Sequence, residues 1–245
     1  VRQFAVRNQH CCCQLLAQTK FDFTGPENFL YGIPVLLLLP ALHFLLFLFQ
    51  NLLVHASFFD YDKDGDLDAY ILNNSNVPVS SLGYAADRDK RANDWESVPK
   101  KFRGLGHLLL RNDNGKYVDV SEEAGIYGSL IAFGLGVLVC DINEDTYPDI
   151  YVSNDFYERD YLYINQRDGT FSEEIKNWTG HLCLSAMGVD IADINNDGLK
   201  DIFVTDMLPE EQQRTKSVME FDTYDVFELK QSRDFYQQYI QNTLQ

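Results

Sequence analysis

From residue 56 onward the hydrophobic pattern is carried by short apolar runs that come in pairs: Ala56–Phe59 with Ala69–Leu72, Gly134–Cys140 with Ile150–Ser153, and Met187–Ala192 with Ile202–Thr205. These runs are short and rich in β-branched and aromatic residues, which predicts strands. A further pair of matching segments, Leu108–Val120 and Leu162–Glu174, reads as hairpins with Asn-Gly or Asp-Gly at the turn. Strand, loop, strand and hairpin together make about four strands per repeat, the content of one propeller blade. The expected fold is all-β, a partial β-propeller over 56–245, with a polar loop insertion at 74–103 that lengthens the first repeat. Residues 210–241 depart from this pattern. Their Glu, Lys, Gln and Arg content and near-helical apolar spacing predict a C-terminal helical insertion, with Asn242-Thr243-Leu244 opening the next hairpin.

Between the paired strands lie three matching polar segments: DYDKDGDLD (Asp60 to Asp68), DINEDTYPD (Asp141 to Asp149) and DINNDGLKD (Asp193 to Asp201). Each has Asp or Asn at positions 1, 3 and 5 and Asp at position 9. A tight loop can turn the side chains at 1, 3 and 5 toward one centre while position 7 offers its carbonyl, and hard oxygen donors in that number suit Ca²⁺. The candidate ligands are Asp60, Asp62, Asp64, Asp66 and Asp68 in loop 1, Asp141, Asn143, Asp145, Tyr147 and Asp149 in loop 2, and Asp193, Asn195, Asp197, Leu199 and Asp201 in loop 3. Asp66, Tyr147 and Leu199 are the position-7 residues. The spacing begins like an EF-hand loop, but the last acid comes at position 9 rather than 12 and a strand, not a helix, follows.

Position 6 calls for positive φ, met by Gly65 and Gly198 but by Thr146 in loop 2. Thr146 either accepts that conformation at a cost of about 1–2 kcal/mol or lets the loop relax into another turn. Loop 1 holds five aspartates and one lysine, loop 3 three aspartates and Lys200, so the expected order of affinity is loop 1, loop 3, loop 2.

The chain has 245 residues with 37 acidic against 20 basic side chains, a formal net charge of -17. Such a surface repels nucleic-acid phosphates and favours divalent cations or basic partners. Cys11, Cys12 and Cys13 are adjacent, while Cys140 and Cys183 sit alone in apolar stretches and read as small buried hydrophobes rather than a disulfide framework. The histidines fall in no metal-ligand spacing, and G-x-S-x-G, Walker and dinucleotide motifs are absent, so no enzyme chemistry is expected. Tyr157, Tyr161, Tyr163 and Trp178 read as core or as a sugar-binding face.

The motifs HASFFDYDKDGDLD, SNDFYERDYLYIN, MGVDIADINNDGLKDIFVTDMLP and QNTLQ resemble FG-GAP/VCBS repeats, and among these the large secreted bacterial members related to cartilage acidic protein. The resemblance implies a propeller with Ca²⁺ in the loops linking blade strands, outside the cytoplasm, at a cell surface or outer membrane. The expected role is a binding, adhesion or structural platform for an extracellular protein or polysaccharide. The alternative is a portion of a secreted polysaccharide-processing enzyme.

Residues 1–55 differ in kind, carrying only Asp22 and Glu27 as acids. An uncharged stretch at 29–53 is long enough to cross a bilayer core, though Pro34, Pro40, His43 and Gln50 interrupt it. A membrane anchor, a signal h-region and an artefact of translation or assembly are the open readings. The chain begins with Val1 rather than Met, which points to a start further upstream.

Overall fold

The computed structural model describes residues 53–74, 98, 106–218, 224–233 and 235–245. The segment up to residue 52, most of the insertion expected at 74–103, and residues 219–223 of the helical stretch lie outside the described residues. So does the bilayer-length stretch at 29–53, except that Leu53 already opens the first strand. Among the described residues no helix is long and apolar enough to cross a membrane.

Two four-stranded antiparallel meanders follow one another. Sheet 1 comprises β1 (Leu53–Phe59), β2 (Asp68–Asn73), β3 (Leu108–Asp113) and β4 (Lys116–Asp119); sheet 2 comprises β5 (Gly134–Cys140), β6 (Asp149–Asn154), β7 (Tyr161–Asn165) and β8 (Phe171–Glu173). Next come a short helix α1 (Ile175–Trp178) and β9 (Leu182–Cys183). Sheet 3 pairs β10 (Ala186–Ala192) with β11 (Asp201–Asp206) and, at the end of the chain, β13 (Thr243–Leu244). Between β11 and β13 lie α2 (Gln212–Val218), α3 (Tyr224–Ser232) and β12 (Gln238–Tyr239). β12 falls within the stretch expected to be helical, because Gln238 and Tyr239 pair in parallel with Leu182 and Cys183. That tertiary pairing outweighs the local composition. The described residues close no barrel.

The repeat is visible in the register. Phe59 faces Asp68, Cys140 faces Asp149 and Ala192 faces Asp201, so each acidic loop joins the first two strands of its sheet. Each first strand also carries a register shift near its start, at Leu53/His55, Gly134/Gly136 and Ala186/Gly188. The hairpins differ. In the first, Asp113 pairs with Lys116 across a two-residue turn in which Asn114 (φ 54) and Gly115 (φ 89) are both left-handed. In the second, Asn165 pairs with Phe171 across a longer loop that holds Asp168-Gly169.

Sheet 2 is buried on both faces. Ile150, Val152, Tyr161 and Tyr163 pack with Tyr70, Leu72 and Leu109 of sheet 1. Tyr151, Leu162 and Ile164 pack with Ile191, Ile202 and Val204 of sheet 3. Burial of one such aliphatic or aromatic side chain contributes about 1.5–3 kcal/mol, so the two interfaces hold the sheets in a fixed stack. β11, covered on one face, alternates instead: Ile202 and Val204 are buried, Phe203 and Thr205 exposed. Cys140 and Cys183 are buried in the second interface.

Candidate metal centres

The three acidic loops share one backbone. Position 4 is left-handed in each, at Lys63 (φ 63), Glu144 (φ 61) and Asn196 (φ 62), and so is position 6, at Gly65 (φ 96), Thr146 (φ 77) and Gly198 (φ 94). Thr146 therefore adopts the strained conformation rather than relaxing the loop. The position-4 conformation had no glycine to announce it.

Side-chain oxygens hold this backbone in the same way in each loop. The position-1 carboxylate accepts the N–H groups of positions 5 and 6: Asp60 from Asp64 (3.1 Å) and Gly65 (3.0 Å), Asp141 from Asp145 (2.9 Å) and Thr146 (2.8 Å), Asp193 from Asp197 and Gly198 (3.0 Å each). Position 3 also accepts from the N–H of position 5, at 3.3 Å to Asp62, 3.1 Å to Asn143 and 2.8 Å to Asn195. Position 5 accepts from the N–H of position 7, at 2.8 Å to each of Asp64, Asp145 and Asp197. Position 9 accepts from the N–H of position 2, at 3.0 Å to Asp68 and 2.8 Å to each of Asp149 and Asp201. These bonds order the loop backbone and leave further lone pairs on the same side-chain oxygens.

In loop 1, one oxygen each from Asp60, Asp62 and Asp68 lie within 4.8 Å of one another. Oxygens ligating Ca²⁺ at 2.3–2.6 Å can stand up to about 5 Å apart across the ion, so the donor set fits that cation in type and spacing. Asp68 is fully buried, and its carboxyl is pushed up to about 6, chiefly by burial, against backbone hydrogen bonds from Asn112 and Tyr61. Burial, followed by the charge of Asp64, also raises Asp62. A dication facing these oxygens would offset both penalties. Asp66, at position 7, uses its carboxylate to accept from Asn114 N–H (2.9 Å), leaving its carbonyl as the donor the loop can offer.

Asp149 in loop 2 is likewise buried and raised by burial. Asp145 is not: burial alone would raise it, but the Tyr147 N–H and hydrogen bonds from Arg167 and Asn143 hold it below the usual carboxylate range. Tyr147 at position 7 carries the Lys63 ammonium 3.7 Å above its ring, and the same Lys63 donates to the Thr146 hydroxyl at 2.9 Å. Loop 3 is the most exposed, with Leu199 projecting into solvent.

Two asparagines that carried no weight in the sequence pattern fasten the loops to the hairpins. Asn112 donates its N–H to Asp68 (2.9 Å) and its amide to the Leu67 carbonyl (3.1 Å). Asn165 does the same for loop 2, to Asp149 (2.9 Å) and the Pro148 carbonyl (3.3 Å), and its amide also reaches the Tyr61 carbonyl of loop 1 (2.9 Å). Aligning the hairpins on Asn-Gly and Asp-Gly hides this equivalence, because the second loop is longer and shifts the two asparagines out of step. A cleft of about 410 Å³ opens between loop 1 and the β7–β8 loop, lined among others by Tyr61, Asp62, Arg111, Glu123, Arg167 and Thr170.

No curated protein matches the chain. Residues 141–204, which run from the start of loop 2 through loop 3 into β11, match the family described as an FG-GAP-like repeat, so one such repeat is found there.

Proposed function

We propose that the chain is part of a calcium-stabilised β-propeller, an extracellular or cell-surface module that binds protein or polysaccharide or serves as a structural platform, rather than an enzyme. The observation that carries this reading is the identity of the three loops: the same left-handed positions and the same oxygen-to-N–H bonds recur wherever the D-x-[DN]-x-D spacing does, and in loop 1 the carboxylates converge. The FG-GAP-like repeat at 141–204 supports it, since such repeats are β modules often used in binding and adhesion.

In this reading Asp60, Asp62, Asp64 and Asp68 hold the first ion, Asp141, Asn143, Asp145 and Asp149 the second, and Asp193, Asn195, Asp197 and Asp201 the third, with the carbonyls of Asp66, Tyr147 and Leu199 completing the sets. The ion supplies positive charge where buried carboxylates otherwise repel one another, and so fixes the connection between the first two strands of each sheet. Loop 1 is the strongest site by charge.

Calorimetric titration of the chelator-treated chain with Ca²⁺ tests the proposal. Binding heat and a melting temperature that rises with Ca²⁺ concentration are expected, about 2.7 kcal/mol of added stability for one site at a hundredfold excess over its Kd. No heat together with an unchanged melting temperature would overturn it.

A further inference from the structure

We infer that Arg167 is an internal competitor for the cation of loop 2, a residue that weakens this one site without ligating the ion. The inference rests on the calcium reading above and concerns how one of its sites is tuned. Asp145 has its Oδ1 engaged by the Tyr147 N–H at 2.8 Å, which leaves Oδ2 as the oxygen free of the loop's own backbone. On that Oδ2 converge the Arg167 Nε at 3.0 Å and the Asn143 amide at 3.1 Å. The position-5 carboxylates of the other loops keep the same backbone bond, but among the described residues neither Asp64 nor Asp197 forms an ion pair.

The guanidinium is placed by the frame that fastens loop 2. Asn165, 2 % exposed, is held to Asp149 and Pro148, and its Oδ1 accepts the Arg167 N–H at 2.9 Å, with Arg167 in the left-handed conformation (φ 66). The residue two beyond the equivalent Asn112 is Asn114, also left-handed (φ 54) but uncharged. The competitor thus belongs to loop 2 alone. The Asp145 side chain is 8 % exposed, so its ion pair is only partly screened; that of Arg167 is 57 % exposed and has room to swing into solvent. A cation that takes Asp145 through Oδ2 must first displace the guanidinium, and the work of doing so is subtracted from its affinity.

The test is Ca²⁺ titration of loop 2 by calorimetry in a chain whose other loops are silenced by Asp60→Ala and Asp193→Ala, with and without Arg167→Gln. Loss of a partly buried charged competitor should tighten binding about five- to tenfold, and Arg167→Lys, which keeps the charge but loses the planar donor, should fall between. Unchanged or weaker binding in the Arg167→Gln chain would overturn the inference. A parallel chain with Asp141→Ala and Asp193→Ala reports loop 1: heat there with no response to Arg167→Gln in loop 2 sinks only the Arg167 inference, whereas silence in every loop of the unaltered chain sinks the calcium reading itself. Should the loop-silenced chain not fold by circular dichroism, Arg167→Gln alone must tighten the weakest resolved calcium step and leave the others within about twofold, or the inference fails.

Discussion

Loops 1 and 2 have the same backbone and nearly the same ligand spacing, yet they meet different surroundings. Loop 1 has a glycine at position 6 and converging carboxylates among which Asp68 is pushed up to about 6 by burial. Loop 2 bears Thr146 in a left-handed conformation, and its Asp145 is already neutralised by Arg167. Both loops keep a buried position-9 carboxylate raised by desolvation, but at position 5 loop 2 already meets its charge with the protein's own cation, whereas loop 1 does not. A shared motif therefore does not mean a shared affinity, because affinity depends on which charges the rest of the fold brings to the loop.

The largest way to break the comparison is to cut what joins the loops. Asn165→Ala strips the buried Tyr61 carbonyl and the half-buried Pro148 carbonyl of their shared donor, and urea denaturation should show a loss of about 3 kcal/mol. Asn112→Ala, whose amide donates to the Leu67 carbonyl and accepts the Gly115 N–H, both at the surface, should cost about 1 kcal/mol or less. Equal losses would mean that the bridge between loops carries no energy of its own.

Exchanging the position-6 residues sharpens the contrast in strain. Nothing lies within 4 Å of where a Cβ on Gly65 would stand, so Gly65→Thr pays for left-handed backbone alone and should destabilise by about 1–2 kcal/mol. Thr146→Gly should gain less than that, about 0.5–1 kcal/mol, because it also forfeits the hydrogen bond from Lys63. Chemical denaturation of both variants in chelator checks the pair.

Acidity should act on loop 1. The folded-state value of Asp68, about 6, lies above that of the unfolded chain, so its contribution to stability is fully present below the unfolded value near 4 and is lost as pH rises through 6. In chelator the chain should be more stable at pH 5 than at pH 7.5, by roughly 1 kcal/mol from Asp68; Asp160, pushed up to about 7 by burial, adds in the same direction, so Asp68→Asn should shrink the difference by about that amount without removing it. With Ca²⁺ present the trend should reverse, since protons then compete with the metal. Urea midpoints at the two pH values decide it.

The smallest expected effect is the contact across the loops. Lys63→Ala loses an exposed ammonium over the Tyr147 ring, about 0.5 kcal/mol, and a double-mutant cycle with Tyr147→Ala should return a coupling of that size. A coupling of zero would leave the Lys63–Thr146 hydrogen bond and Asn165 to connect the loops.

Local chemistry was enough to write down the loops, the strands on either side and the first hairpin turn. Acids at alternate positions, glycine at position 6, β-branched runs and Asn114-Gly115 act within a few residues of one another, and the chain can satisfy them without distant partners. Leu53 and His55 joined β1 from a segment whose composition looked foreign, because a strand's extent is set by the partner it pairs with, here Leu72 and Asn73. The pairing of β12 with β9, the double burial of sheet 2 against the half-burial of sheet 3, and the left-handed residue at position 4 were likewise outside the reach of periodicity. So were the residues that make the loops unequal. Asn165, Arg167 and Lys63 lie outside the ligand positions, and what each does depends on atoms far away in the chain: the Tyr61 carbonyl, the Asp145 carboxylate, the Thr146 hydroxyl. The sequence by itself determined which oxygens each loop can offer. Only the tertiary structure decided which of them are buried, bridged or already paired, because those properties belong to the packing of one sheet against the next.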